Sequence, residues 1–413
     1  MSGKLKKKSK PFTCLDVGSS RLICIIAEIT EDEIKIIGYG HKESRGLIGC
    51  NISDMRLAQK SIISTVAEAE KMAGISIKDI TLIVSSAQTT SSHQDSSIKI
   101  AGNTIKSSDI ISLTNKIREY FRKNNHEIFH FIPLQYRIDD SLPIVNPHHM
   151  SGDTLYTKFH IISASQTTIK NIEKCLKECQ LSIDNYLIEP YSSLFATLTE
   201  NEMHLGSMII DIGSFNTSFG LVIDGKFTHS ANFPIAGAHI TKDIATILNI
   251  SLTLAEKIKN LNNSLIISPI EAKDLINLRN INESDGSDLI KISKSDLAEI
   301  IKSRLEEIFE NIKKVAYKNK IPISLVNNVV ITGGSATIVG AERLASEVLN
   351  KNARIGYPNK IKNLDFEINN PGHASVLGAL TIFQNNYIKN KNKAIEPEKQ
   401  GIINRIINKI ASL

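Results

Sequence analysis

The sequence predicts an α/β protein built from two similar halves that face each other. One pattern, an apolar run, an Asp-x-Gly-Ser turn and a second apolar run, occurs at 12–27 and again at 207–222. Each copy has the composition of a buried strand, a tight turn and a returning strand. A repeat on this scale predicts duplication, and the helical patterns between and after the copies favour an α/β class.

The first half is predicted from local signals. Helical periodicity ends at Gly74, a glycine typical of a helix C-terminus. Residues 86–163 differ in composition, with Ser-rich strands and a stretch interrupted by prolines, and we expect them to form a small α+β module inserted into a first domain of 11–85 and 164–205. The predicted elements are three strands within 12–40, helix Met55–Ala73, strand Ile80–Ser85, helix Ser107–Arg122, strand His160–Ser165, helix Thr168–Cys179, strand Asn185–Ile188 and a helix from Glu189 to about Leu198.

The second half is predicted to span 206–388, with 238–300 as its smaller subdomain. Polar residues 389–400 are typical of a linker, and the basic residues 1–10 of a disordered tail. The predicted elements are helices Ala238–Leu248 and Leu252–Leu261, a loop or hairpin at Ile281–Ile292, helix Ser295–Lys318, strand Asn328–Thr332, a helix from about Gly340 and helix Ala374–Ile388.

Composition excludes several classes of protein. The net charge of +6 over 413 residues arises largely from lysines near the two ends, so nucleic-acid binding is not expected. No window reaches the roughly 20 apolar residues that a spanning helix requires, and no secretory signal follows the N-terminal lysines. Five cysteines, an odd count in a long chain, favour a reducing compartment.

Three glycine-containing turns carry the predicted chemistry. The two Asp-x-Gly-Ser turns offer backbone N–H groups to an anion, while their aspartates suit a cation. In the third, Thr332-Gly333-Gly334-Ser335, paired glycines permit close approach of a ligand ahead of a helix. Together they predict a phosphate clamp. The chain has no G-x-x-x-x-G-K-[ST] pattern, which excludes a P-loop nucleotidase.

The order of these turns carries a family resemblance. With Glu189-Pro190 between the first two turns and Pro371-Gly372-His373 after the third, the chain resembles the actin/Hsp70/sugar-kinase ATPase superfamily. Within it, residues 11–413 resemble the FtsA family of bacterial cell-division proteins. The resemblance implies an actin-like (ribonuclease H-like) fold, with duplicated domains around a nucleotide cleft and a small inserted subdomain of SHS2 type.

The resemblance also implies ATP and Mg²⁺ as ligands. Asp16 and Asp211 are then expected to hold Mg²⁺ mostly through water, and Glu189 matches the residue that orients the attacking water in the Hsp70 branch. Because Phe215 and Gly237-Ala238 depart from the family pattern, we expect nucleotide binding with at most weak ATPase activity. The predicted nucleotide-binding residues are Asp16, Gly18, Ser19, Ser20, Asp211, Gly213, Ser214, Asn216, Gly237, Gly333, Gly334 and Ser335, with Lys302 and Arg304 on the adenine side.

One further motif matches a zinc-protease signature. His126-Glu127-Ile128-Phe129-His130 fits H-E-x-x-H, whose chemistry requires a helix that places both histidines on one face. The surrounding alternation and Pro133 indicate a strand instead, so we expect no zinc site here.

The last thirteen residues predict an amphipathic helix that lies on an anionic membrane surface. Packing of the same helix on the protein's own body is the alternative. At about 1.5 Å per residue the helix is too short to cross a bilayer. The predicted membrane-binding residues are Ile402, Ile403, Arg405, Ile406, Ile407, Lys409, Ile410 and Leu413.

For function, the resemblance implies an ATP-binding protein that forms filaments and ties FtsZ filaments of the division ring to the cytoplasmic membrane. The C-terminal tail of FtsZ is expected to dock around 238–300, and the insert to serve self-association or later division proteins. The expected location is the cytoplasmic face of the inner membrane at the division septum, as a peripheral protein. A pilus-assembly adaptor like PilM, which shares the insert, and a sugar or acetate kinase are the alternatives.

Overall fold

The computed structural model describes residues 11–395 except 49–50, 86–88, 103, 279–289, 360, 362–363 and 366. The predicted basic tail, the predicted membrane helix and the end of the predicted linker lie outside the described residues.

The first half and its insert follow the predicted order of elements. Asp54 begins the first helix by accepting a hydrogen bond from the Leu57 amide, and Gly74 ends it in the left-handed conformation. The elements are β1 (Phe12–Val17), β2 (Arg21–Ile29), β3 (Ile34–Glu43), β4 (Leu47–Ile48), β5 (Asn51–Ile52), α1 (Met55–Ala73), β6 (Asp79–Val84), β7 (Thr89–Lys99), α2 (Ser107–Lys123), β8 (His126–Ile138), β9 (Thr154–Ser165), α3 (Gln166–Glu178), β10 (Ser182–Ile188), α4 (Glu189–Thr197) and α5 (Glu200–Leu205).

The second half begins directly after α5. Near Ile281–Ile292, β14 and β15 pair as an antiparallel hairpin whose connection lies outside the described residues. The elements are β11 (Ser207–Ile212), β12 (Thr217–Ile223), β13 (Lys226–Phe233), α6 (Gly237–Leu248), α7 (Leu252–Leu261), β14 (Leu275–Leu278), β15 (Ile290–Ser293), α8 (Lys294–Lys318), β16 (Asn328–Thr332), α9 (Ala341–Leu349), β17 (Asn352–Ile355) and α10 (Ala374–Ile395).

The two central sheets share one topology. Their strand orders are β3-β2-β1-β6-β10 and β13-β12-β11-β16-β17. In each sheet three antiparallel strands are followed by two parallel ones, and the central strand pairs with one neighbour of each kind. The Asp-x-Gly-Ser turns occupy the same position, between β1 and β2 and between β11 and β12. The repeated sequence pattern therefore corresponds to a repeated sheet.

Helix α10 belongs to the first half. Val376, Leu377 and Leu380 pack with Cys14 and Ile25 on one face of the first sheet, while α1 and α3 cover the other face. The range 206–388 predicted for the second half is therefore one helix too long. Helix α10 also continues to Ile395, through residues predicted as linker. Residues 389–395 contain no glycine or proline to stop the helix before Pro397.

The insert is a three-stranded antiparallel sheet, β7-β9-β8, with α2 packed on one face. The H-E-x-x-H residues lie in strand β8, where buried His130 Nε2 accepts a hydrogen bond from the Ile188 amide at 3.1 Å. Over the described ranges there is no cluster of three or more His, Cys, Asp or Glu suited to a metal ion. The prediction of a strand here is confirmed.

Candidate functional site

The two Asp-x-Gly-Ser turns face one cleft with a cavity volume of about 490 Å³. Each turn is closed by the same bond: the Gly18 amide donates to the Arg21 carbonyl at 3.1 Å, and the Gly213 amide donates to the Asn216 carbonyl at 3.1 Å. The third turn follows β16, which is parallel to β11, and so reaches the same edge of the second sheet.

The cleft brings together the predicted residues of all three turns. Glu189, at the first position of α4, also lies on the cleft wall. The predicted residues found there are Asp16, Gly18, Ser19, Ser20, Asp211, Gly213, Ser214, Asn216, Gly237, Gly333, Gly334 and Ser335.

Two of the carboxylates on this cleft belong to the Asp-x-Gly-Ser turns. Asp16 Oδ2 accepts a hydrogen bond from Ser375 Oγ at 2.8 Å, and Asp211 Oδ2 accepts one from Ser193 Oγ at 3.0 Å. Burial raises the pKa of Asp16, and burial together with the nearby Asp16 carboxylate raises the pKa of Asp211 to about 6. Arg21 opposes both increases. The arrangement concentrates negative charge that a cation would stabilise.

Glycines permit close packing at two points of the wall. Gly333 has φ +89°, and a Cβ there would lie 2.5 Å from Asp211 Oδ1 and 2.6 Å from the Ile212 carbonyl oxygen. At Gly237 a Cβ would lie 2.2 Å from Ser335 Oγ, which donates to the Gly213 carbonyl at 3.1 Å. Glycine is therefore required at 333, whereas a side chain at 237 would displace the Ser335 hydroxyl.

Asn216 presents unpaired polar atoms. Its amide nitrogen and oxygen are both buried, and neither has a hydrogen-bond partner among the described residues. Leaving such a donor and acceptor unpaired is costly, so a polar ligand in the cleft would stabilise this side chain. The cleft therefore fits a polar ligand, and its carboxylates fit one that brings a cation with it.

Sequence reasoning missed Arg21, the residue directly after the first turn. Its Nη2 donates to the Gly372 carbonyl at 2.7 Å. The second half holds the same loop, because Thr332 Oγ1 donates to the Pro371 carbonyl at 2.9 Å and the Gly333 amide donates to it at 3.2 Å. A basic residue next to a phosphate-type turn was the available signal.

Sequence reasoning also missed a wall of the cleft that consists of Glu256, Lys259 and Asn260 of α7 and of Asn263 just after it. Lys259 is buried, and its Nζ donates to Glu256 Oε2 at 2.6 Å and to Thr241 Oγ1 at 2.9 Å. Burial opposes ionisation of Glu256, but the bonds from Lys259 and Thr241 hold its pKa below the usual value. The Glu-x-x-Lys spacing on a helix was the signal.

Lys302 and Arg304 are a correction to the sequence prediction, because neither lies on this cleft. Arg304 is bound by Asp243, at 2.6 and 2.8 Å, and by Glu307. Lys302 pairs with Glu306 at 3.7 Å. Helix α8 packs with α6 in the core of the second half, which directs these two side chains away from the turns.

Two family models match the chain. The model described as cell division protein FtsA matches residues 208–378, and the model of the SHS2 domain inserted in FtsA matches residues 86–163. Among similar curated proteins, the FtsA of Buchnera aphidicola subsp. Acyrthosiphon pisum is 29% identical over 98% of both chains. The FtsA of Agrobacterium fabrum is 28% identical over 91% of this chain and 87% of its own length.

Solved structures share the fold at low identity. The PilM–PilN type IV pilus biogenesis complex aligns with a TM-score of 0.65 at 15% identity, over 90% of this chain and 98% of that one. MreB 5 of Spiroplasma citri bound to AMPPNP aligns with a TM-score of 0.57 at 14% identity, over 94% and 99%. The predicted actin-like fold with an inserted SHS2 subdomain is confirmed.

In the part of the chain that the structure describes, no helix is both long and apolar enough to cross a bilayer.

The family models and the curated relatives agree. Two models specific to FtsA proteins match separate parts of the chain, and relatives described as FtsA align over nearly all of its length. The chain therefore belongs to the FtsA family of cell-division proteins.

Proposed function

We propose that this protein binds ATP with Mg²⁺ in the cleft and, in cell division, ties filaments of FtsZ to the cytoplasmic membrane at the septum. The observation that carries the nucleotide site is the pair of opposed Asp-x-Gly-Ser turns, which bring Asp16, Asp211 and the side-chain amide of Asn216 to one cleft. The relatives' printed description, cell division protein FtsA, supports the division role.

In this proposal the three turns have separate roles. The first two hold the phosphates through backbone N–H groups, with Arg21 supplying positive charge. Asp16 and Asp211 hold Mg²⁺ mostly through water; two carboxylates suit this cation, which dehydrates reluctantly and takes phosphate oxygens as ligands. Gly333 and Gly334 form the adenosine wall opposite α7. MreB 5 of S. citri, a neighbour in fold, is described as bound to AMPPNP.

Hydrolysis is proposed to be weak at most. Bound Mg²⁺ would neutralise charge on the phosphates, and Glu189 would orient the attacking water. Glu189 lies on the cleft wall at the start of α4, followed by Pro190. Binding requires only the turns, whereas fast turnover requires a fixed water and added charge stabilisation as well.

The tail of FtsZ is proposed to dock on the smaller subdomain of the second half. A groove of about 670 Å³ lies between α6 and α8. Ile247, Leu248 and Ile300 line it together with Lys291 and Arg304. The apolar floor suits an apolar peptide segment. Four carboxylates, Asp243, Asp296, Glu299 and Glu307, also line the groove, and Arg304 pairs with Asp243 and Glu307.

Membrane attachment is proposed for residues 401–413, which lie outside the described residues. Six apolar residues at helical spacing opposite Arg405 and Lys409 support it. One short helix binds weakly, so a filament with many tails would bind by avidity. Self-association into filaments, and recruitment of later division proteins by the insert, complete the proposal.

Co-sedimentation with anionic liposomes, with and without ATP and Mg²⁺, tests the proposal. The full chain should pellet and should retain a labelled FtsZ tail peptide. Ile406→Glu should release it into the supernatant while binding of a fluorescent ATP analogue persists, because none of the proposed nucleotide-binding residues belongs to 401–413. Asn404→Gln, on the polar face, is the matched control.

Two outcomes would contradict the proposal. If a chain ending at Glu398 pellets as the full chain does, the membrane anchor lies elsewhere. If the full chain binds neither the ATP analogue nor the FtsZ peptide, the nucleotide and FtsZ assignments are wrong. Phosphorylation of a small-molecule acceptor would favour the kinase alternative, and binding of a pilus-assembly peptide instead of the FtsZ tail would favour the PilM-like alternative.

A further inference from the structure

The insert contacts both halves of the protein. It emerges from the first half, between β6 and α3, but its sheet packs on β13, the edge strand of the second half. We call this contact the β13 interface: Ser91, His93, Leu134 and His160 of the insert against Lys226–Ser230 of β13.

Four hydrogen bonds with defined directions join the two sides. His160 Nδ1 donates to the Phe227 carbonyl at 2.8 Å, and His93 Nε2 donates to the Thr228 carbonyl at 2.8 Å. The Ser230 amide donates to Ser91 Oγ at 3.2 Å, and Lys226 Nζ donates to the Leu134 carbonyl at 2.5 Å. Because a carbonyl oxygen only accepts, His160 carries its proton on Nδ1, which leaves Nε2 to accept from Ser91 Oγ at 2.8 Å.

Apolar packing closes the same interface. Phe227 is buried, and its ring centroid lies 5.6 Å from that of His160. Phe129 and Ile162 of the insert share a core cluster with Val222 and Phe227 of the second half. Burial lowers the pKa of His160 to about 3, so this histidine is neutral at the interface, as its one donor and one acceptor bond require. The insert is thus fixed to the second half by both polar and apolar contacts.

The same strand reaches the cleft at its other end. Phe233 pairs with Thr217, the first residue after the second turn, and Thr217 Oγ1 donates to the Ile235 carbonyl at 2.7 Å. The Gly237 amide then donates to the Gly213 carbonyl at 3.1 Å. Between Phe227 and Phe233 the strand extends about 20 Å, at roughly 3.3 Å per residue. Strand β13 therefore connects the phosphate turn of the second half directly to the insert.

We propose that the β13 interface couples the position of the insert to nucleotide in the cleft. A ligand that draws the two turns together displaces β13 relative to the first half, and the insert, bonded to β13 but covalently continuous with the first half, moves with it. The inference rests on the proposed nucleotide site. It gives the insert a means of exposing a different surface to partners in the two nucleotide states.

Hydrogen–deuterium exchange of β8 tests this coupling. ATP and Mg²⁺ should change the exchange of β8 amides in the parent by about threefold or more, because β8 contacts β13. The double variant Ser91→Ala, His93→Ala removes two of the four bonds and should reduce that response to less than half. The control Ser97→Ala, Lys99→Ala changes the same strand away from β13 and should keep the response of the parent.

Affinity for a fluorescent ATP analogue separates the two proposals. The parent, the interface variant and the control variant should bind the analogue within about twofold of each other, since the substituted positions in β7 are remote from the turns. The coupling is overturned if the parent binds the analogue without any change in β8 exchange, or if the interface variant keeps the full response. If the parent does not bind the analogue at all, the proposed nucleotide site fails first, and the coupling fails with it.

Discussion

The two Asp-x-Gly-Ser turns have the same backbone and different chemistry. Each turn is closed by an amide-to-carbonyl bond of 3.1 Å, from Gly18 to Arg21 and from Gly213 to Asn216. At the position that accepts this bond, the first turn carries a guanidinium that donates to the Gly372 carbonyl, whereas the second carries a side-chain amide with no hydrogen-bond partner in the described part of the chain. Duplication supplied the geometry, and divergence at one position gave one turn a charge and the other a neutral donor and acceptor.

The largest expected effect comes from the third turn, which fixes the second. Gly333→Ala requires a left-handed conformation and places a Cβ 2.5 Å from Asp211 Oδ1. We expect it to lower the free energy of unfolding by about 2–4 kcal/mol and to weaken ATP binding by more than about 100-fold. Gly334→Ala is the control for stability, because its Cβ would lie at an ordinary 3.4 Å from the flexible end of Arg21. Urea unfolding of both variants and ATP titration of Gly333→Ala are the measurements; an equal loss of stability at the two glycines would contradict this account.

A pH titration tests the buried carboxylate of the second turn. Burial raises the pKa of folded Asp211 to about 6, above the ordinary value of 3.8, so folding favours the protonated acid. Its contribution to stability is complete below pH 4 and is lost as the pH rises through 6. Without Mg²⁺, the free energy of unfolding of Asp211→Asn should rise relative to that of the parent between about pH 4 and 6, by up to about 3 kcal/mol. The measurement is urea unfolding of both proteins from pH 4 to 7; a constant difference would show that Asp211 does not titrate there.

The next largest effect on ATP binding is expected at Arg21 and Asn216, which occupy the same position in the two turns. Arg21→Ala removes a charge from the phosphate side, and we expect ATP binding to weaken by roughly 10-fold or more, with a smaller loss in high salt. Asn216→Ala removes an amide that is unpaired without ligand, so it should weaken binding while leaving the stability of the free protein nearly unchanged. Calorimetric titration and unfolding of both variants check this. A large loss of stability in Asn216→Ala would mean that the amide is already paired in the free protein.

The smallest effect is expected one residue before Arg21 and Asn216. At this position the first turn has Ser20 and the second has Phe215. Phe215 is 38% exposed, so Phe215→Ser should change the free energy of unfolding by less than about 0.5 kcal/mol and ATP affinity by less than about threefold. A greater change in affinity would assign the phenyl ring a contact with the nucleotide.

Local signals explain what the sequence made predictable. Apolar runs, the Asp-x-Gly-Ser turns and Gly74 act within a few residues, so strands, turns and the end of α1 follow from them. Arg21 escaped prediction because its partner, Gly372, is 351 residues away. Lys302 and Arg304 were misplaced because the packing of α8 on α6, rather than any local pattern, decides which way they point. Buried Lys259 was missed for the same reason.

Helix α10 packs on strand β1, although the two lie far apart in sequence, and their order of synthesis on the ribosome differs accordingly. Cys14 Sγ donates to the Val376 carbonyl, and Ser375 Oγ donates to Asp16, across 362 and 359 residues. One face of the first sheet therefore lacks this helix until α10 has been made, and its apolar strands are open to wrong partners during that time. Helix α10 must leave the ribosome before the sheet that was made first acquires its last layer.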